Sequence, residues 1–198
     1  SNIDEPVTIR HVTLPRKQAE KEEQGNIPKS FSFHCIENSR MDILQILISS
    51  GCSTTGLLQA AIELDKKNIF DFLISVGVDI NSSNKDIEAP LFVAVKREKL
   101  YFIETLLEKG ANVTAFDSEG YSLVARAVQQ DNFDITKLLI ENNSPISSIE
   151  YKRSPLYIAI KKRNISVVFL LLQNGVSTQL VSKKGETYLM DSVKVESI

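Results

Sequence analysis

The same short ending returns five times along this chain: Ile-Leu-Ile-Ser-Ser-Gly at 46–51, Phe-Leu-Ile-Ser-Val-Gly at 72–77, Leu-Leu-Glu-Lys-Gly at 106–110, Leu-Leu-Ile-Glu-Asn-Asn at 138–143 and Leu-Leu-Leu-Gln-Asn-Gly at 170–175. Its terminal residues, Gly51, Gly77, Gly110, Asn143 and Gly175, lie 26, 33, 33 and 32 positions apart. A period near 33 specifies a stack of similar small units rather than one globular core. In such a stack each unit contacts only its neighbours, so function is expected on the surface that the units share.

The unit can be read from residues 89–110. Pro90 opens a helix at a position where a missing N–H costs nothing. Leu91, Ala94 and Val95 recur at helical spacing, and Lys96-Arg97-Glu98-Lys99 is a polar turn. A second helix follows with Phe102, Ile103, Leu106 and Leu107 on one face, and Gly110 ends it as a left-handed cap. Asn112, Asp117 and Gly120 then supply turn chemistry for an extended finger. Small residues recur where the first helix must approach its neighbour: Cys35, Ala61, Ala94, Ala127, Ala159 and Ser192. The paired apolar residues of the second helix are Leu47/Ile48, Leu73/Ile74, Leu106/Leu107, Leu139/Ile140 and Leu171/Leu172. All of these read as core, each worth about 1.5–3 kcal/mol when buried.

Two stretches carry a resemblance. Ala89-Pro90-Leu91-Phe92-Val93-Ala94 and Ser154-Pro155-Leu156-Tyr157-Ile158-Ala159 are similar to the Thr-Pro-Leu-His-x-Ala of the ankyrin repeat, and Gly77-Val78-Asp79-Ile80-Asn81 and Gly110-Ala111-Asn112-Val113 to its Gly-Ala-Asp-Val-Asn. The chain thus resembles the ankyrin repeat family over about residues 30–194. The resemblance implies an all-α solenoid of helix-turn-helix units with β-turn fingers, in units of about 30–52, 53–83, 84–116, 117–148, 149–181 and 182–198. Residues 1–29 match no unit: 7–14 alternates like a strand, and 16–24 is a charged run, so this leader is expected to be partly extended or disordered, or to cap the stack. Phe33, Gln59, Phe92, Ala125, Tyr157 and Met190 stand at the family's His position, which predicts loss of most Thr–His hydrogen bonds and looser units. The short first interval leaves no room for a finger and predicts a tight loop at 51–56. The sixth unit stops after a first helix, from Thr187 to about Val195.

Composition bounds function. At 42% hydrophobic and 24% charged residues the chain reads as a folded, soluble one, and a net charge of −2 makes no case for nucleic acid or an anionic membrane. No apolar run is long enough to span a bilayer, and Cys35 and Cys52 make no disulfide framework, which suggests a cytoplasmic setting, or a host-cell cytoplasm for a secreted effector. His34 and Cys35, adjacent on a helix, point about 100° apart, which works against a nucleophile–base pair. No metal-ligand spacing and no phosphate loop are present, so neither an enzyme, a metal nor a cofactor is expected.

What remains is the surface. The resemblance implies a partner protein along the concave face, built from helix positions Lys96, Arg97, Gln129, Gln130, Lys161 and Lys162. Fingers complete it: Asn84, Lys85, Asp86 and Glu88; Phe116, Ser118, Glu119 and Tyr121; Ser148, Glu150, Tyr151 and Arg153; Lys183, Lys184 and Glu186. Residues 1–88 carry a net −4 and residues 89–198 a net +2, so positive charge gathers toward the C-terminal units, which suggests an acidic or mixed partner segment. Phe116, Tyr121 and Tyr151 are aromatics where burial is not demanded, the kind of residue that anchors interfaces. Two other readings compete. The basic units could hold nucleic acid, against which the interleaved Glu150 and Glu186 argue; or the chain could be the targeting part of a larger enzyme or of a bacterial or protist effector.

Overall fold

A computed structural model describes residues 31–190, apart from 149, 180, 183, 186 and 189. The predicted leader at 1–29, and Ser192 with most of the sixth unit's helix, lie outside the described residues. Ten α-helices come in pairs: α1 (Phe31–Glu37) with α2 (Met41–Ser49), α3 (Leu57–Glu63) with α4 (Lys67–Ser75), α5 (Pro90–Lys96) with α6 (Leu100–Glu108), α7 (Leu123–Gln129) with α8 (Phe133–Glu141), and α9 (Pro155–Lys161) with α10 (Ile165–Gln173). Among the described residues there is no extended sheet, only isolated bridges pairing Phe116 with Ser122 and Val181 with Thr187 at finger bases.

The first helices pack on one another in the order α1, α3, α5, α7, α9 and form the inner layer. They are short, and nearly every residue is covered: Leu57–Ile62 of α3 and Pro90–Val95 of α5 are buried without a break. Such continuous burial requires side chains small enough for backbones to approach, which is why Ala61, Ala94, Ala127 and Ala159 are fully buried and Cys35 nearly so. The second helices bury one stripe each, with Leu44, Leu73, Leu106, Leu139 and Leu171 at its centre. The second residue of each pair is half-covered by the neighbouring unit, except Leu172. That residue was expected in the core, but it is exposed beside Ile165 and Phe169 because no further described second helix lies against α10.

Each unit closes two turns with left-handed residues. At the end of each second helix the chain reverses through Gly51, Gly77, Gly110, Asn143 and Gly175, all at positive φ. Between paired helices the left-handed residue is not glycine but Ser39, Asp65, Glu98, Asp131 or Arg163, with φ between 52° and 63°. Each such residue costs about 1–2 kcal/mol, least for Asn and Asp. Four of them also accept a bond from the next unit. Lys66 Nζ reaches Ser39 Oγ at 2.8 Å, Lys99 Nζ lies 3.1 Å from Asp65, Asn132 Nδ2 donates to Glu98 at 2.8 Å, and Asn164 Nδ2 donates to Asp131. The strain at these corners is thereby tied to unit-to-unit contacts.

Asn143 has no such compensation, being exposed at the position that is glycine in the other four units. Replacing it with glycine should stabilise the array by up to about 1 kcal/mol. A thermal melt followed by circular dichroism should shift upward by about 2–4 °C. A midpoint that stays or falls would show that Asn143 bears no strain.

The first interval behaves as the spacing predicts. Residues 50–56 join α2 to α3 through a turn in which Leu57 N–H donates to Thr54 O at 3.2 Å, whereas residues 76–89 make a full finger between α4 and α5. Loss of the family's His is partly offset. Buried Gln59 donates through Nε2 to Ser82 O at 3.0 Å and Glu88 O at 2.8 Å, tying the finger at 76–89 to α3. The expectation of loosely tied units therefore does not hold for this one.

Candidate functional site

The fingers are built from short side chains that turn the backbone. Asp79 Oδ1 accepts from Asn81 N–H at 2.9 Å, and Asn84 Oδ1 accepts from the N–H groups of Asp86 and Ile87, each at 2.9 Å. In the next finger Asp117 Oδ1 accepts from Glu119 N–H at 3.0 Å and Tyr121 N–H at 2.9 Å. Asp117 does more than turn the chain. Its side chain is fully buried, and Oδ2 accepts from Nε of Arg126 on α7. Arg126 Nη1 donates to Gln129 Oε1 at 2.8 Å, and Nη2 lies 2.9 Å from Glu119 Oε1. The guanidinium also covers the Tyr121 ring, 4.3 Å from its centroid, and Arg153 lies 5.8 Å from the same ring. Burial alone pushes the Asp117 carboxyl up, but hydrogen bonds from Arg126, Tyr121 and Glu119, together with the guanidinium charge, outweigh it and hold the carboxyl below the usual range. Burial pulls Arg126 down, but the carboxylates of Asp117 and Glu119 outweigh it and hold the guanidinium above its ordinary value.

Neighbouring elements close on this cluster. Arg153 pairs with Glu150 at 2.7 Å and passes so near Gly120, whose φ is 80°, that a Cβ there would meet Arg153 Nη1 at 2.8 Å. The positive φ favours glycine at 120, whereas the Arg153 guanidinium, at the end of a flexible side chain, can move aside for a Cβ. Gln130 Nε2 donates to Lys96 O at 2.6 Å, joining α7 to the end of α5, while its Oε1 has no partner among the described residues.

A concave groove of about 880 Å³ opens between α3, α5 and the fingers at 83–89 and 115–118. Phe33, Gln59, Ala89, Phe92 and Phe116 are among its lining residues. Phe92 is buried, Phe33 half-buried, and Phe116 is 55% exposed. Gln59 is 6% exposed, and its Oε1 has no hydrogen-bond partner among the described residues.

The expected face divides on inspection. Lys96 and Phe116 line the groove; Arg97 sits beside it, paired with Glu63 at 3.0 Å. Glu119, Tyr121, Gln129 and Gln130 belong to the Arg126 cluster or its neighbour and are largely committed to intramolecular contacts. Tyr151 is a correction. It is 6% exposed, stacked on Tyr188 at 4.8 Å and tilted against Tyr157 at 4.9 Å, so it is core rather than an exposed anchor. It lies at the start of a 3₁₀ turn at 151–153 that packs against α9, and its ring is covered by Tyr157 and Tyr188. Lys161, Lys162 and Lys184 are exposed, and Lys183 lies outside the described residues. The positive gradient is weaker than a count suggests, because Glu88, Glu63 and Glu150 already pair with Lys96, Arg97 and Arg153.

Arg126 was missed, although the repeat could have flagged it. Ala60, Val93 and Ile158 occupy its position in the second, third and fifth units and are buried, whereas the first unit has exposed His34 there, so an arginine breaks the pattern of the inner units. Phe116 breaks the pattern oppositely, standing where the flanking units have Ser83 and Ser148. His34 is exposed 3.2 Å from Glu37, whereas Cys35 is buried and its thiol is pushed up chiefly by that burial. No group of three or more potential metal ligands occurs among the described residues, and no described helix is long and apolar enough to cross a membrane.

A family model for "Ankyrin repeats (3 copies)" matches residues 31–117, 57–150 and 124–197. The chain is 27% identical over 142 residues to one ankyrin repeat protein of Fowlpox virus (strain NVSL), covering 72% of this chain and 21% of that protein. Against a second Fowlpox virus ankyrin repeat protein it is 32% identical over 132 residues, covering 66% of this chain and 93% of the relative. Against mouse Rabankyrin-5 it is 29% identical over 164 residues, covering 75% of this chain and 14% of the relative. The chain therefore spans only a minor part of some of the curated relatives that it matches.

Proposed function

Because the chain belongs to the ankyrin repeat family, we propose that it is a protein-interaction module, acting within a larger protein, whose partner lies along the face made by its first helices and fingers. Ankyrin repeats are protein–protein interaction modules in general, and the face used by this chain is the finer point at issue. The observation that supports it is the groove between α3, α5 and two fingers, which brings exposed Phe116 and half-buried Phe33 to one concavity while the helices behind are fully engaged in packing. Concave, partly apolar surface with a few polar groups is what a bound segment requires. Lys161 and Lys162, exposed on α9 and just beyond its end, do not line this groove, and any steering by them would act on the rate of encounter rather than on the contacts made inside it.

A photo-activated crosslinking residue placed at 118 on a finger, or at 104 on the solvent side of α6, tests the face directly. Ser118 lines the groove, and Glu104 is exposed on a second helix. Crosslinks to a partner protein are expected from 118 and not from 104. Equal yields, or adducts from 104 alone, would place the partner on the other side of the stack.

A further inference from the structure

The charges that line the groove are balanced within the protein. Glu88 pairs with Lys96 at 2.6 Å, Glu63 with Arg97 at 3.0 Å and buried Asp117 with Arg126. The other charged lining residues, Lys85 and Asp86, are adjacent and of opposite sign. Lys85 and Asp86 are exposed and form no ion pair with each other among the described residues, but their charges cancel, so the lining together with its ion-pair partners has no net charge that would favour an acidic or a basic segment. The apolar part of the lining is unevenly covered. Phe92 is sealed in, but Phe116 is 55% exposed at a finger position that is serine in both flanking units. A large apolar ring held in water at the rim of a groove, where packing does not require it, is anchor material for a partner. Gln59 adds a polar feature. Its Nε2 is committed to Ser82 O and Glu88 O, which fixes the amide orientation and leaves Oε1 as a buried acceptor without a donor among the described residues.

We propose that this groove takes an uncharged segment of a partner chain that sets an aromatic or large aliphatic side chain against Phe116. The proposal rests on the interaction-module reading above and names the chemistry of the partner. It assigns binding to the N-terminal half of the stack, away from Lys161 and Lys162, and predicts affinity nearly independent of salt. Electrostatic association, by contrast, weakens as screening shortens its range.

The test uses the full chain and a phage-displayed library of random dodecapeptides as probe, followed by fluorescence anisotropy on the enriched peptides. Enriched peptides should carry an aromatic or large aliphatic residue and no excess of Asp and Glu. Their affinity should fall about tenfold or more for Phe116→Asp, a loss typical of an interface anchor. It should change less than about twofold for the Lys161→Glu/Lys162→Glu double variant, and hold between about 0.05 and 0.5 M salt. Because Phe116 is largely exposed, its variant should melt with the parent, and a melting curve checks this. Acidic peptides whose binding is lost in the lysine variant would overturn the proposal while leaving the interaction module intact. Peptides indifferent to both sets of substitutions, or no enrichment at all, would overturn both.

Discussion

Replacing Asp117 with alanine should destabilise the array by about 3–5 kcal/mol, because it leaves the buried Arg126 guanidinium without its principal counter-ion. The carboxylate has two tasks that no other residue covers. Oδ1 satisfies the backbone N–H groups of Glu119 and Tyr121, and Oδ2 holds Arg126 Nε. Glu119 remains near Arg126 Nη2, but that carboxylate is 64% exposed and screened, so it offsets little. Asp117→Asn keeps one acceptor oxygen for the turn and removes the charge, and should fall between the parent and Asp117→Ala. Chemical denaturation of the variants, with Arg126→Met and the double variant closing a cycle, separates the pair from the turn. A loss below about 1 kcal/mol for Asp117→Ala would mean that the pair is solvated in solution. The same residue gives a pH dependence. Its folded carboxyl titrates below the unfolded value of about 3.9, so its contribution is complete above that pH. Stability should then drain away as pH falls from about 4 through the lower folded value, and Asp117→Asn should remove that part of the acid sensitivity.

Phe102→Ala should have a comparable effect, about 3–5 kcal/mol, through a different cause. Phe102 on α6 is fully buried and meets Phe70 of α4 edge to face at 4.9 Å, with the Tyr101 ring 5.4 Å away. Truncation removes the ring's transfer energy and leaves a cavity that helices held at both ends cannot close. The site also sits mid-stack. In an array stabilised by nearest-neighbour interfaces, weakening α4 against α6 should split the cooperative unit, so the denaturant slope should fall together with the midpoint. Phe133→Ala, on the partly exposed side of α8, is the comparison and should cost less than about 1 kcal/mol. If the two variants melt alike, the packing described for Phe102 is wrong.

The site was less legible than the fold, and particular residues show why. Tyr151 looked like a finger aromatic because its position is a finger position; that the turn at 151–153 points its ring at Tyr188 depends on φ and ψ, which no spacing encodes. Lys96, Arg97 and Arg153 counted as groove cations, yet each meets a carboxylate 8, 34 or 3 positions away. Those separations are three different kinds of neighbour: a finger on the same unit, the preceding unit and the start of the same turn. Asp117 read as an ordinary turn former because half its bonding is local; the other half runs to Arg126 on the following helix. Both exceptions, Arg126 and Phe116, were visible as breaks in the repeat, and comparison of equivalent positions between units would have marked them before any coordinates.

The periodic ending determined the helix pairs, their order, the core stripe and the tight loop at 51–56, because those depend on contacts between residues one period apart, and a period is a property of sequence. Only the tertiary structure decided which charges are neutralised, that Tyr151 is core, and that a groove opens between α3 and α5. The physical reason is the difference in what fixes each. Burial of an apolar stripe tolerates small errors of placement, since hydrophobic energy follows area and has no direction. Ion pairs, ring contacts and the volume of a groove depend on distances of a few ångströms between side chains of different units, and the folded backbone alone sets those.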